Sequence, residues 1–367
     1  MNIDSLITKP TLLLDTQKTL RNIERMIAKA THSGVVFRPH FKTHQSAEIG
    51  EWFRKRGVNA ITVSSIDMAR YFADHGWRDI TIAFPVNLRQ LPEINQLAKE
   101  IKLNLLIESM PVAEQIVSGL THPVNIWLKI DVGYQRTGLF WQDYEGITAV
   151  AITIAHAHNL NLVGLLTHAG HSYSAGSREK VIEVYETSVQ RLQAGQITLR
   201  DRGIETAVSI GDTPTCSLVD TFEGVDEIRP GNFVFYDIMQ AQIGACSLDD
   251  ISVAVACPVI AKHPERGQII IYGGAVHFSK EYLRRGNGAP CYGHLARLTQ
   301  NGWEALPDTS HITSLSQEHG IVQVEPYLQD LIQIGDYLLV LPIHSCLTAN
   351  LLKRYLTLEG EWIEMMK

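Results

Sequence analysis

The chain has 367 residues, of which 45% are hydrophobic and 19% charged, so it is long enough for a barrel plus a second domain and too apolar to be disordered. The formal net charge of -7 argues against nucleic acid or an anionic membrane as a partner. Five scattered cysteines without a C-x-x-C pair indicate a reducing, cytoplasmic setting. Residues 1–10 lack the features of a secretory signal, and no apolar run is long enough to span a membrane.

The first two thirds of the sequence alternate between short apolar runs and segments with helical spacing. A β-like run over 11–15 precedes a helix predicted over 17–30 by its apolar spacing. The runs that follow are 35–37, 60–63, 80–84, 103–107, 124–130, 162–167, 207–210 and 227–229. Strands that alternate with helices predict a parallel sheet with right-handed crossovers. Eight such units favour a closed (β/α)8 barrel of the TIM type, and an open doubly wound sheet is the alternative.

From about residue 245 the pattern becomes β-rich, with glycine and proline between the runs. The runs are 251–262, 268–273, 294–299, 321–324 and 337–342. We therefore predict a barrel over 16–245 and a mostly antiparallel β domain formed by 1–15 and 246–367.

Lys42 lies in the stretch that points most directly to chemistry. The apolar run 35–37 is followed by Arg38, His40, Lys42 and His44. In a barrel of this kind, the residues that follow the strands form the active end. Lys42 is either a solvated surface lysine or an amine that forms a Schiff base, and burial and neighbouring cations would lower its pKa for that task.

Polar, glycine-containing segments also follow other predicted strands. They include Arg136, the stretch from His168 through His171 to Tyr173, and 229–232. In 211–215, Gly211 allows a close approach of the backbone to a ligand, and Thr213 as N-cap with Pro214 after it would expose helix N–H groups to an anion. An ordinary capped helix is the alternative there.

His344 and Cys346 are the candidate metal ligands. In an extended chain, residues two apart point to the same face, so an imidazole and a thiolate could share one metal ion. This donor pair suits Zn2+. A packed cysteine beside a hydrogen-bonded histidine is the alternative. The segment 317–320, Gln-Glu-His-Gly, is either a solvated turn or an acid and an imidazole beside the site.

Together these segments resemble the D-threonine aldolase and D-serine dehydratase group of pyridoxal-phosphate (PLP) enzymes, of fold type III and related to alanine racemase. The matching segments follow the order of that family over nearly the whole chain: 38–44, 131–138, 211–215, 227–232 with Tyr236 and Asp237, 317–320 and 342–346.

The resemblance implies a role for each candidate residue. Lys42 would bind PLP as a Schiff base, and Lys42 or a nearby histidine, His168, would take the Cα proton. Tyr173 would lie by the pyridine nitrogen, and Arg136 by the phenolic oxygen or the substrate carboxylate. The phosphate would be held by Gly211, Thr213, Gly231 and Asn232. His344 and Cys346 would bind zinc or another divalent metal.

Cys346 favours the dehydratases of that family, because the aldolases tend to carry an acidic residue at this position. We therefore expect a PLP- and zinc-dependent lyase that converts D-serine or a 3-hydroxy-D-aspartate-like compound into a 2-oxo acid and ammonia. The alternatives are an aldolase on D-threonine-like substrates, a racemase, a PLP carrier without enzymatic activity, and a barrel that binds another phosphate ligand. A second substrate carboxylate would need a further cation, and the candidates are Arg38, Arg136, Arg229 and His171. The resemblance also implies a homodimer.

Overall fold

The computed structural model describes residues 3–300 and 302–367. The prediction that residues 1–10 form no secretory signal includes Met1 and Asn2, which lie outside the described residues, as does Asn301. The chain forms two compact units. One, here the barrel unit, comprises Glu24–Lys42 and Ile49–Gly231; the other, here the β unit, comprises the chain up to Ile23, Thr43–Glu48 and Asn232–Lys367. The domain limits given above from the sequence stay a prediction.

The barrel unit is built on a parallel sheet, as the alternating pattern predicted. Its strands are β2 Val36–Phe37, β3 Ala60–Val63, β4 Asp79–Pro85, β5 Lys102–Ile107, β6 Val124–Asp131, β7 Leu139–Phe140, β8 Leu160–Leu166, β9 Ala207–Ile210 and β10 Glu227–Ile228. They lie in the order β2-β10-β9-β8-β6-β5-β4-β3, and β7 pairs with β6. Each apolar run predicted as a barrel strand corresponds to one of these strands.

The two ends of this sheet meet just beyond β2. Thr62 of β3 donates its N–H to Pro39 at 2.9 Å, and Phe41 donates to Thr62 at 2.8 Å. Only these short contacts join β2 to β3 among the pairings of the described residues, so the barrel is closed by a narrow seam. The predicted (β/α)8 architecture is confirmed.

Helices connect the strands, and their apolar faces cover the sheet. Their bounds are α1 Thr16–His32, α2 Ala47–Arg54, α3 Ile66–Asp74, α4 Leu91–Ala98, α5 Met110–Gly119, α6 Tyr144–Ala155, α7 Arg178–Arg200 and α8 Thr213–Leu218. None of the helices in the described part of the chain is long and apolar enough to cross a membrane.

An aromatic cluster fixes the backbone that precedes Lys42. The ring of Phe41 is fully buried, and it lies 5.0 Å from Phe53, 5.0 Å from Phe72 and 5.1 Å from Trp77. Burial of a phenylalanine side chain contributes about 1.5–3 kcal/mol, and edge-to-face ring pairs add to it. Lys42 therefore extends from a rigid support.

The β unit is built on a mostly antiparallel sheet, as predicted. Its strands are β1 Thr11–Leu14, β11 Val253–His263, β12 Gln268–Tyr272, β15 Gly293–Thr299, β16 Gly302–Ala305, β17 His311–Leu315, β18 His319–Gln323, β19 Tyr337–Pro342, β20 Arg354–Thr357 and β21 Trp362–Glu364. The early strand β1 is antiparallel to β11 and parallel to β20. A separate antiparallel pair is formed by β13 Leu283–Arg284 and β14 Pro290–Cys291. Short helices interrupt them: α9 Ile238–Ile243, α10 Ala275–Phe278, α11 Pro326–Leu331 and α12 Ser345–Leu352.

Candidate cofactor and metal sites

Lys42 lies at the C-terminal side of β2, with an exposed side chain. Its backbone N–H donates to His40 Nδ1 at 3.3 Å. The burial that the sequence suggested for Lys42 is not found. Arg38 is buried and donates to Asp79 at 2.5 Å and to Glu227 at 2.6 Å, so two carboxylates balance its charge.

His168 lies at the centre of a cluster of predicted site residues in the barrel unit. Its Nδ1 donates to the carbonyl oxygen of Gly211, which leaves the lone pair on Nε2. Burial is the main cause that lowers the pKa of His168 to about 3, and the positive charges of Lys42, Lys129 and Arg136 act in the same direction. The structure therefore brings Lys42, Arg136 and Gly211 close to a neutral imidazole.

Tyr134 connects this cluster to Arg136, and the sequence did not single it out. The Arg136 guanidinium lies over the Tyr134 ring, 5.0 Å from its centroid. The same ring stacks on His171 at 6.1 Å and lies 6.2 Å from His168. The cation at position 136 is thus held against the mouth of the barrel unit by an aromatic face.

The predicted anion loop is joined to Tyr173. The Tyr173 hydroxyl accepts the N–H of Thr213 at 3.4 Å. The prediction that Thr213 is the N-cap of the following helix is wrong: Asp212 is the N-cap, and its carboxylate accepts the N–H of Thr215 at 2.9 Å and the hydroxyl of Ser172 at 2.8 Å. Its extended backbone and short carboxylate make it the better cap of the two neighbours. Burial raises the pKa of Asp212 to about 6.

Gly211 and Gly231 flank a buried arginine. A Cβ at Gly211 would lie 2.8 Å from Cβ of Arg229, so a larger residue would displace that strand end. Arg229 donates to the Thr167 carbonyl and to Ser209, both at 2.8 Å. Gly231 follows two residues later, and its phosphate contact stays a prediction.

The structure leaves fewer candidates for the cation that would bind a second substrate carboxylate. Arg38 and Arg229 are committed to buried hydrogen bonds inside the barrel unit. Arg136 and His171 remain near the mouth, stacked on the Tyr134 ring.

Lys129 is a second residue that sequence reasoning missed. It lies on β6 and is 5% exposed. Burial first, and then the charges of Arg229 and Arg136, lower the pKa of Lys129 to about 7. Nothing in the sequence indicates that Lys129 is buried. A single lysine within an apolar run is also the pattern of a strand whose lysine points to the solvent.

This cluster fits PLP. It offers one exposed primary amine, a phenol, a neutral imidazole and a guanidinium beside a glycine loop, with Lys42, Lys129 and Arg136 all contributing positive potential at His168. An aromatic aldehyde with a dianionic phosphate matches that set of donors and charges.

The candidate metal ligands lie in the β unit, at the start of α12. His344 is the N-cap residue and Cys346 is the second helical residue, so the prediction of an extended chain at this point is wrong. The two side chains nevertheless meet in a hydrogen bond. Burial alone would lower the pKa of His344, but the hydrogen bonds to Cys346 and Glu281 outweigh it and raise the pKa to about 11.

Three further side chains contact this pair. Glu281 Oε2 accepts a hydrogen bond from His344 Nδ1 at 2.8 Å, and this bond holds the pKa of Glu281 below its usual range. Two side chains contact Cys346. The Thr43 hydroxyl lies 3.3 Å from its sulfur, and the Asn232 amide nitrogen lies 3.5 Å from it.

Asp237 anchors the turn that carries the pair. Its Oδ2 accepts the N–H of Ser345 at 2.9 Å and the Asn232 amide at 2.6 Å. Asn232 Oδ1 is buried and has no hydrogen-bond partner among the described residues. The structure thus places the Asn232 amide nitrogen beside Cys346, and the phosphate contact assigned to Asn232 stays a prediction.

The donor set at this position fits a divalent metal with open coordination positions. No group of three or more His, Cys, Asp or Glu side chains in residues 3–300 and 302–367 is arranged to hold a metal. His344 and Cys346 therefore supply two ligands of the N/S type that zinc prefers, fewer than the three protein ligands of most catalytic zinc sites.

The segment 317–320 contributes strand pairing: His319 and Gly320 pair with β12, and Glu318 lies 3.9 Å from His277.

Known proteins resemble this chain over its full length. A D-threo-3-hydroxyaspartate dehydratase from Delftia sp. (strain HT23) is 29% identical, with 98% of this chain and 96% of that protein covered. A D-serine dehydratase from Dictyostelium discoideum is also 29% identical, over 96% of this chain and 94% of that protein. A solved structure of a D-threo-3-hydroxyaspartate dehydratase, a cysteine-to-alanine mutant in the metal-free form, has a TM-score of 0.92 and 28% identity, over 100% of this chain and 99% of that one.

Family models cover most of the chain. The model "Putative serine dehydratase domain" matches residues 252–358. The model "Alanine racemase, N-terminal domain" matches residues 14–238, which is more than half of the sequence. The resemblance read from the motifs is confirmed, and the chain belongs to the family of proteins built on the alanine racemase N-terminal domain.

Proposed function

We propose that this chain is a PLP-dependent lyase that removes water from a D-amino acid with a β-hydroxyl group, giving a 2-oxo acid and ammonia. D-serine and D-threo-3-hydroxyaspartate are the proposed substrates, since the two dehydratases that the chain resembles carry those names. The observation that carries the proposal is the contact between His344 and Cys346 at the start of α12. A racemase would have no use for such a pair.

The barrel unit supplies the amine and the anion-binding surroundings. PLP, when bound, supplies an electron sink for negative charge at the substrate Cα. Lys42 is the exposed amine of the cluster, so it is the group that would hold the cofactor and then take the Cα proton. Tyr173 would face the pyridine nitrogen as a neutral partner, and Arg136 would meet the phenolic oxygen or the substrate carboxylate.

His168 is less suited to proton removal than the sequence suggested. A general base works best with a pKa near the operating pH, and burial lowers the pKa of His168 to about 3. We propose instead that His168 remains neutral and accepts hydrogen bonds through Nε2. Gly211 fixes this tautomer by accepting from Nδ1.

His344 and Cys346 would hold the metal, with zinc proposed on the strength of the N/S donor pair. A metal at this position would act as a Lewis acid toward the β-hydroxyl of the substrate. The aldolase reaction uses the same hydroxyl, so D-threonine cleavage is the second candidate; the thiol at position 346 favours dehydration.

We also propose a homodimer in a reducing, cytoplasmic setting. Fold type III enzymes resembling this chain suggest the dimer, and the odd, scattered cysteines suggest the setting. Light scattering of the purified protein would measure the assembly, and a monomer would contradict it.

The test of the proposed function is product identification with a panel of D-amino acids. Purified protein loaded with PLP is supplied with D-serine, D-threo-3-hydroxyaspartate and D-threonine, with and without prior metal removal. Release of a 2-oxo acid and ammonia is expected from one of the first two. Glycine and an aldehyde from D-threonine would instead establish the aldolase, and full turnover after thorough metal removal would overturn the role of the metal pair.

A further inference from the structure

Glu281 makes a directed contact with the imidazole of His344. Its Oε2 lies 2.8 Å from His344 Nδ1, and the two side chains are 43% and 28% exposed. Glu281 lies between α10 and β13, where its own N–H donates to the Ser279 hydroxyl at 3.2 Å. The carboxylate is thus positioned by local backbone before any metal binds.

This contact determines which nitrogen of His344 is available. An ionised carboxylate only accepts hydrogen bonds, so Nδ1 must carry the proton. In the neutral ring that binds a metal, the lone pair is therefore on Nε2, and the bond to Glu281 holds the ring in one orientation. Histidine ligands of metal sites commonly donate their second ring N–H to a carboxylate in this way, and the loss of that partner typically costs 10–100-fold in metal affinity.

We propose that Glu281 is the positioning residue of the metal centre, which orients His344 so that Nε2 binds a divalent cation together with the Cys346 sulfur. This inference rests on the proposed function of the His344–Cys346 pair. Glu281 acts through His344 and does not touch the metal. Nothing in the local sequence marks it: it stands 63 residues before its partner, in a polar stretch between two short elements.

The test measures zinc affinity of the purified full-length protein by competition with a chromophoric chelator, with zinc ion alone as the probe. Glu281→Ala is expected to weaken zinc binding by about 10–100-fold. Glu281→Gln keeps an acceptor oxygen and is expected to recover part of that loss, which a merely structural role would not predict. Glu304→Gln is the matched control, because Glu304 lies in the same unit and pairs with Arg297 at 2.7 Å on the surface.

The outcomes separate this inference from the proposed function. Equal zinc affinity of the wild-type protein and Cys346→Ala would overturn the metal pair itself, and the inference with it. Loss of zinc binding in Cys346→Ala with wild-type affinity in Glu281→Ala would overturn the role of Glu281 alone. Circular dichroism of each variant shows that the fold is retained, and Glu281→Gln, which is nearly isosteric, keeps the test valid if Glu281→Ala unfolds.

Discussion

The Thr43 hydroxyl lies 3.3 Å from the Cys346 sulfur, although 303 residues separate them in the sequence. Thr43 is fully buried and directly follows Lys42 in the chain. A thiolate bound to a metal only accepts hydrogen bonds, so Thr43 would donate to it. The residue next to the candidate cofactor lysine therefore takes part in the environment of the candidate metal ligand.

Replacement of Thr43 by valine should weaken zinc binding without loss of the fold. Loss of a donor to the thiolate is expected to lower affinity by about tenfold, the lower end of what outer partners of metal ligands contribute. Thr43→Ser should retain most of the affinity. Thr348→Val is the control, since Thr348 is equally buried and its hydroxyl has no hydrogen-bond partner among the described residues. Equal zinc affinities of Thr43→Val and Thr348→Val would contradict the prediction.

Replacement of Lys42 by alanine should abolish both turnover and the visible absorbance of the bound cofactor. The side chain is exposed, so stability should change by no more than about 0.5 kcal/mol. Absorbance of the PLP-loaded protein and thermal unfolding are the two measurements. Lys99→Ala, at an exposed lysine of the barrel unit, should leave both unchanged. An unaltered cofactor spectrum in Lys42→Ala would show that another amine binds PLP.

Much of the barrel site was predictable because parallel strands deliver the residues that follow them to one end of a barrel. Lys42, Arg136, Gly211 and His168 each follow an apolar run, and the structure brings them to one cluster. Lys129 was not predictable in this way, since it lies within a strand and its burial depends on packing.

The surroundings of the metal pair depend on contacts that no local pattern encodes. Glu281 and Thr43 reach their partners across 63 and 303 residues. The helix that begins at Ser345 was missed because a single short apolar segment fits a strand or a helix equally well. At the anion loop, Asp212 and Thr213 are both capping residues, and only the backbone conformation decides between them.

Glu227 should be essential for stability of the barrel unit. It is 4% exposed and accepts from Arg38 at 2.6 Å and from Ser209 at 2.8 Å. Removal of its charge leaves Asp79 as the remaining carboxylate partner of the buried Arg38 guanidinium, so Glu227→Gln should cost about 3 kcal/mol, the lower end of the cost of breaking a buried ion pair. Glu24→Gln, at an exposed carboxylate that pairs with Arg56 at 2.7 Å, should cost less than about 1 kcal/mol. Urea unfolding measures both, and similar midpoints for the two variants would contradict the prediction.

Stability should fall on mild acidification because His44 is buried as a neutral imidazole. It is 1% exposed, its Nδ1 accepts the N–H of Ser46 at 3.1 Å, and burial lowers the pKa of His44 from 6.5 to about 3. As the pH falls below about 6.5, the unfolded chain takes up the proton first, so this stability is complete above that pH and is lost toward pH 3. At pH 5 the loss amounts to about 2 kcal/mol relative to pH 7. The test compares the free energy of urea unfolding at pH 7 with that at pH 5. In His44→Asn the difference between the two pH values should be smaller than in the wild-type protein by about 2 kcal/mol.

His32→Asn, at an exposed histidine of α1, is the control and should show the wild-type difference. A wild-type difference in His44→Asn as well would show that His44 does not govern the acid response.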